Sequence, residues 1–251
     1  MVMVEDKTET GEISSRQEVW SKVKNEMVHT GDGLGRGIDE GIMEPVIALN
    51  VFKINTIQSC EGHIDEGVSA PWIRFAAPNE PAERFVGQNE IFEKVAAKYK
   101  MPVEETKRMF NMDAFWEAYG ECEKNAETED FKKWKLETAK ILNLIKAILD
   151  DFYSNREVGD NIKIKASAES LEDMTGDFFE LSSGGNDNSD NRIINGIELS
   201  EEEKELLGKR LIKYREEMRA FADFLKDKFF NVGESYVMDL VTRQNAVENC
   251  L

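Results

Sequence analysis

Apolar residues recur along this chain in two long helical stripes. Between Thr128 and Tyr153 the positions Phe131, Trp134, Thr138, Ile141, Ile145, Ile148 and Phe152 alternate steps of three and four. That period predicts one long helix with a buried face. A second stripe of Leu207, Leu211, Tyr214, Met218, Phe221, Leu225 and Phe229 predicts a helix from Ser200 to about Phe230. Ser200 with Glu203 forms a capping-box signature at its start. Two such stripes commonly bury each other, so an antiparallel pair is expected.

Shorter patterns fill in the rest. Val19, Trp20, Val23 and Met27 mark a helix from Ser14-Ser15, its expected cap, to about His29. Ile38 to Phe52 reads as helical, with Pro45 either beginning its regular part or kinking it. Residues 54–60 and 71–76 read as strands, as do Asn161–Ala166 and Asp177–Ser182. Residues 79–125 read as helical with breaks at Pro78–Pro81 and Met101-Pro102. Ser182 to Asn191 is a polar loop. The expected architecture is α+β: a small antiparallel sheet packed against a helical layer. Residues 1–13 are expected to be disordered, 14–230 to form a single domain, and 231–251 to form a tail of unassigned structure.

Composition narrows the function. The net charge is −18, which repels phosphate backbones and disfavours a nucleic-acid partner. No run approaches the length of a membrane span, and the polar, acidic start is not a secretory signal. Cys60, Cys122 and Cys250 are too few and too scattered for a disulfide framework. Free thiols in a cytoplasmic protein are expected.

One segment concentrates the chemistry. Ser59-Cys60-Glu61-Gly62-His63 holds one of three cysteines and one of two histidines, where a strand gives way to a turn. A strand fixes such side chains and a loop exposes them. Cys60, His63 and Glu61 are the candidate reactive groups, with Glu61 as base or ligand. A histidine stabilises a thiolate whereas a carboxylate opposes it, so the sign at Cys60 stays open. Thr56, Gln58, Ser59, Gly62, Trp72 and Arg74 are the candidate binding residues. If the strands pair, the register decides whether Arg74 lies near Cys60, and the sequence leaves the register open. Gly62 would give the backbone freedom for a ligand to approach. Cys60 and His63 have a chelating Cys-x-x-His spacing, yet no second pair completes four ligands, so no metal site is assigned. A mixed site with Glu61, Asp65 or Glu66 stays open. The bland alternative is that Cys60 packs as a small apolar residue and His63 caps a turn. The glycine run 31–37 reads either as an anion cradle or as a hinge.

The stretch Ile38-Asp39-Glu40-Gly41 through Ala48-Leu49-Asn50, followed by Thr56 and Ser59-Cys60-Glu61-Gly62-His63-Ile64, resembles the wybutosine-synthesis tRNA methyltransferase family. That family carries an acidic residue, an apolar helix ending near an Asn, then Thr and a Ser-Cys-Ser-Gly-Arg-Ile segment. Ser59, Cys60, Gly62 and Ile64 match; Glu61 and His63 depart. The resemblance covers residues 38–76. It implies a mixed α/β fold with the Ser-Cys segment at the active site, and S-adenosylmethionine and a modified nucleoside as ligands. The departures remove a phosphate contact and add a repelling charge, which disfavours tRNA as substrate. The expected function is therefore binding, with transferase chemistry as one form of it, of a small-molecule or nucleotide-like ligand at this strand and turn. The rival is a non-catalytic acidic helical protein that engages a protein partner or a second copy.

Overall fold

In the computed structural model, residues 6–31, 35–107, 112–169, 178–183, 185, 187, 192–193 and 195–248 are described. They divide into two units. One comprises residues 6–76, 140–169 and 178–248, and the other residues 77–139, where the sequence suggested one domain over 14–230.

The first unit is built around its most apolar helix. α2 (Glu40–Val51) buries Ile42, Pro45, Val46, Ile47, Ala48, Leu49 and Val51. A helix apolar on nearly every side is stable only when other elements cover it all round. α1 (Asp6–Val28) covers one side and α7 (Glu201–Asn231) another. Trp20 of α1 is buried against Phe229 and Phe230, with ring centroids 5.9 and 5.5 Å away. α1 runs through Ser14-Ser15 rather than starting there, and Pro45 lies inside α2.

The α7 stripe is buried throughout and the first stripe at every position but Ile141, which is half-buried, and the capping box at Ser200 and Glu203 is present. The helix lying along α7 is nevertheless α2, not α6 (Glu129–Tyr153). The later turns of α6 join the same core, where Phe152 meets Phe221 edge-on at 5.3 Å. Its earlier residues Phe131 and Trp134 belong to the second unit. α8 (Ser235–Glu248) occupies part of the expected tail and buries Tyr236 and Leu240.

The sheet has the order β1-β2-β4-β3 and every pairing is antiparallel. β1 is Thr56–Cys60, β2 Trp72–Phe75, β3 Lys165–Glu169 and β4 Phe178–Ser182. The fold is thus α+β with one small antiparallel sheet. Ile73, Phe75 and Leu181 are fully buried, because alternate residues of a strand point to one face. The register sets Cys60 opposite Trp72 and Gln58 opposite Arg74. Most of the polar loop 182–191 lies outside the described residues. Within it Asp187 accepts hydrogen bonds from Arg210 and from the Tyr214 hydroxyl at 2.7 Å.

The second unit contains α3 (Gln88–Tyr99), α4 (Val103–Thr106), α5 (Met112–Cys122) and the start of α6. Its own core gathers Phe85, Phe92, Val95, Phe115 and Cys122.

Candidate functional site

β1 is one of the two edge strands of the sheet. Among the described residues it pairs only with β2, so its other edge faces away from the ladder. The chain leaves β1 at Cys60 and turns through Gly62, which has φ +79°. His63 then donates its backbone N–H to Val68, closing the loop at 3.0 Å.

The turn is held to two helices. Asp39 sits at the N-cap of α2 but does not cap its own helix. Its Oδ2 instead accepts the backbone N–H of Glu61 at 3.1 Å. Glu61 answers in kind: its Oε2 accepts the N–H of Gly41, in the first turn of α2, at 2.7 Å. Glu61 thereby caps α2 from twenty residues further along the chain, which satisfies a helix-end donor and sets a carboxylate at the favourable pole of the helix dipole, while Asp39 holds the turn in return. A Cβ on Gly41 would strike Glu61 Oε2.

Arg215 reaches in from α7. It donates to the Glu61 carbonyl at 2.9 Å, to Glu61 Oε1 at 2.8 Å and to the Gly62 carbonyl at 2.5 Å. One turn earlier on α7, Leu211 packs where a Gly62 side chain would lie. A Cβ there would sit 2.9 Å from Leu211 and 2.7 Å from the Ala70 backbone. Glycine at 62 therefore serves a positive φ and close packing by the protein's own chain. It does not open a path for a ligand, as the sequence suggested.

On the other face of the turn lies a cavity of about 480 Å³. Thr56, Gln58, Ser59, Cys60 and His63 all line it, together with the intervening Ile57. Opposite them are Thr30, Gly31, Arg36 and Gly37, with Gly31 and Gly37 joined in an antiparallel bridge. The glycine run thus forms a wall beside the site; its residues 32–34 lie outside the described residues. Asp39 and Glu66 complete the polar lining.

Three donor groups meet here. One donor atom each from Asp39, Cys60 and His63 lies within 4.8 Å of the other two. His63 Nε2 is 3.5 Å from Asp39 Oδ2. Cys60 Sγ accepts the Gly62 N–H at 3.3 Å. Burial is the main influence that pushes the Cys60 thiol above its ordinary range. The Gly62 N–H works against that shift, Asp39 and Glu61 add to it, and Arg215 opposes it. The net direction is upward, and burial rather than either neighbouring charge is its first cause.

Other expected placements come out differently. Arg74 is not beside Cys60: its Nη1 donates to Gln58 at 2.9 Å and its Nε to Glu180 at 3.1 Å. Its guanidinium also lies 4.6 Å from the Trp72 ring centroid. The reason is register, since Arg74 pairs with Gln58, two residues from Cys60. Trp72 and Arg74 do not line the cavity. Thr56 receives the Asn50 amide at 2.8 Å. Glu61 has both carboxylate oxygens engaged and faces α2 and α7 rather than the cavity. The third donor beside Cys60 and His63 is Asp39, not Glu61, Asp65 or Glu66. Asp39 stood in the sequence as an acid just ahead of an apolar helix, a usual cap, and nothing marked a second role. Arg215, one of many charged residues on α7, carried no signal at all.

No protein-family model, no curated protein and no solved structure matches this chain.

Proposed function

We propose that this chain binds a small polar molecule in the cavity beside β1, with Cys60, His63 and Asp39 at its reactive end. One observation carries the reading: a cavity of about 480 Å³ is lined by the whole of β1 and by those three groups. That volume suits a compact ligand. The wall mixes apolar Ile38 and Ile57 with polar Thr30, Gln58 and Ser59, and carries Arg36 as well as the acids Asp39 and Glu66. Such a lining favours a neutral or zwitterionic molecule with one apolar side. A polyanion is disfavoured by the same acids and by the net charge of −18. The resemblance of residues 38–76 to the wybutosine-synthesis methyltransferases makes S-adenosylmethionine the first molecule to test. Nucleosides and free amino acids follow.

The test is a calorimetric and thermal-shift screen of the full chain against these compounds. A ligand at one hundred times its Kd is expected to add about 2.7 kcal/mol of stability. Ile57 is 48% exposed and lines the cavity, so Ile57→Trp fills the space at little cost to the fold. Saturable binding that is lost in Ile57→Trp supports the reading. Binding that survives this variant, or no saturable binding by any compound, sinks it and favours the protein-interaction alternative.

A further inference from the structure

We propose that Asp39, Cys60 and His63 bind a divalent transition-metal ion of the zinc class, with a fourth position directed into the cavity. The donor set gives the first argument. A thiolate, an imidazole and a carboxylate suit zinc and its neighbours, whereas magnesium and calcium prefer oxygen alone. Three protein ligands with one position left for solvent or substrate is the arrangement of catalytic rather than structural zinc.

Distance gives the second argument. Zinc bonds to N, O and S of roughly 2.0–2.3 Å place tetrahedral ligand atoms roughly 3.5 Å apart. His63 Nε2 and Asp39 Oδ2 are already at 3.5 Å, and all three donor atoms lie within 4.8 Å of one another. Small side-chain rotations close the set.

The surroundings give the third. The Glu61 N–H holds Asp39 Oδ2 and the Gly62 N–H holds Cys60 Sγ. These are the outer hydrogen bonds that orient metal ligands. Both donors belong to the turn that Arg215 clamps, so the scaffold is rigid where the ligands are attached. On binding, the Cys60 S–H bond breaks, the proton leaves to solvent and the electron pair goes to the metal. The resulting dication with one thiolate and one carboxylate is neutral overall. That removes the repulsion the two anions would otherwise suffer.

The inference rests on the proposed cavity reading only for what occupies the fourth position; ion binding by the three side chains stands apart from it. The experiment uses the full chain, stripped with chelator and titrated with Zn²⁺ and Co²⁺. Metal content is read by elemental analysis, and thiolate ligation by the near-ultraviolet thiolate-to-cobalt charge-transfer band. One equivalent per chain with that band is expected. Cys60→Ser should abolish the band and weaken Zn²⁺ binding by about 100-fold or more, the upper end of the losses seen for outer-shell changes. Asp39→Asn and His63→Gln should weaken binding comparably, while Cys122→Ala should keep both band and stoichiometry. Far-ultraviolet circular dichroism identifies any variant that fails to fold, and the near-isosteric Cys60→Ser keeps the test alive if His63→Gln is lost.

No stoichiometric metal in the wild type overturns the inference, as does equal binding by the three ligand variants. Ile57→Trp separates the two readings. Loss of ligand with metal retained supports both. Metal binding without any cavity ligand leaves this inference standing and the cavity reading failed.

Discussion

The turn after β1 has two faces, and they have opposite characters. On one, Glu61 and Gly62 are locked: every side-chain oxygen of Glu61 has a partner, and Gly62 has no room for even a methyl group. On the other, Cys60 and His63 border open space, and Asp39 and His63 keep about a third of their side-chain surface exposed. Four consecutive residues thus divide into a foundation and a working surface. Polar residues adjacent in sequence need not share a task. A turn at positive φ sends neighbours in different directions, and which of them meets solvent is decided by distant elements, here α2 and α7.

The sharpest way to break the contrast is Gly62→Ala. A methyl group there combines left-handed strain with overlap against Ala70 and Leu211. The expected loss is about 3–5 kcal/mol, read from urea unfolding. A loss below about 1 kcal/mol, or the small gain of an unstrained Gly→Ala change, would show that the foundation is soft.

Next is the clamp. Arg215→Ala strips three hydrogen bonds from the turn and leaves the Glu61 carboxylate without its cation. The pair is partly solvated, with side chains 34% and 21% exposed, so the cost is about 1–3 kcal/mol rather than that of a fully buried pair. Arg215→Lys should recover only part of it, because an ammonium cannot reproduce the fork. A double-mutant cycle with Glu61→Gln should return a coupling of about 1 kcal/mol. Additivity within error would separate the two residues energetically.

On the working face the effects on stability should be small. Cys60→Ser is expected to change stability by less than about 1 kcal/mol, since Cys60 is only half-buried and serves no core cluster. A larger loss would move Cys60 into the foundation.

A further effect is in pH dependence. Burial raises the Cys122 thiol from 9.0 to about 11. Below the ordinary thiol value neither state ionises and the group adds no slope. Between about 9 and about 11 the unfolded chain loses its proton first, so it binds fewer protons than the native state and stability falls as pH rises. Cys122→Ala should flatten that fall. Alkylation should find both thiols slower than a free cysteine, with Cys60 ahead of the fully buried Cys122. Equal rates would mean that the cavity does not admit the reagent.

Much of the fold was legible because periodicity reports burial directly. Both long helices, the capping box at Ser200 and three of the four strands follow from stripes and alternation, whereas β3 is Lys165–Glu169 and the expected strand at Asn161–Ala166 is turn or irregular over its first four residues. What periodicity does not report is partnership. The stripe of α7 reads identically whether its neighbour is α6 or α2, and only the all-round apolarity of α2 hinted at its central place. At the site, Cys60 and His63 were visible as rare residues at a strand end. The separation of Glu61 from them was not, since a turn's φ values decide it. The position of Arg74 relative to Cys60 stayed open because register is set by pairing and bulges that residue types do not encode. Asp39 and Arg215 come from 22 and 154 residues away from Glu61, beyond the reach of any local pattern.

The grip of Arg215 on the turn also orders events in time. Its partners lie 154 and 153 residues earlier in the chain, and contacts that close such long loops form late in folding and, during synthesis, only after the later segment has left the ribosome. The strand, the turn and α2 are made first and must wait, with their carbonyls and the Glu61 carboxylate still in water, for α7 to arrive. Maturation of the site is therefore expected to coincide with docking of α7, so that a nascent chain stopped short of that helix would carry every cavity-lining side chain and still lack the assembled turn.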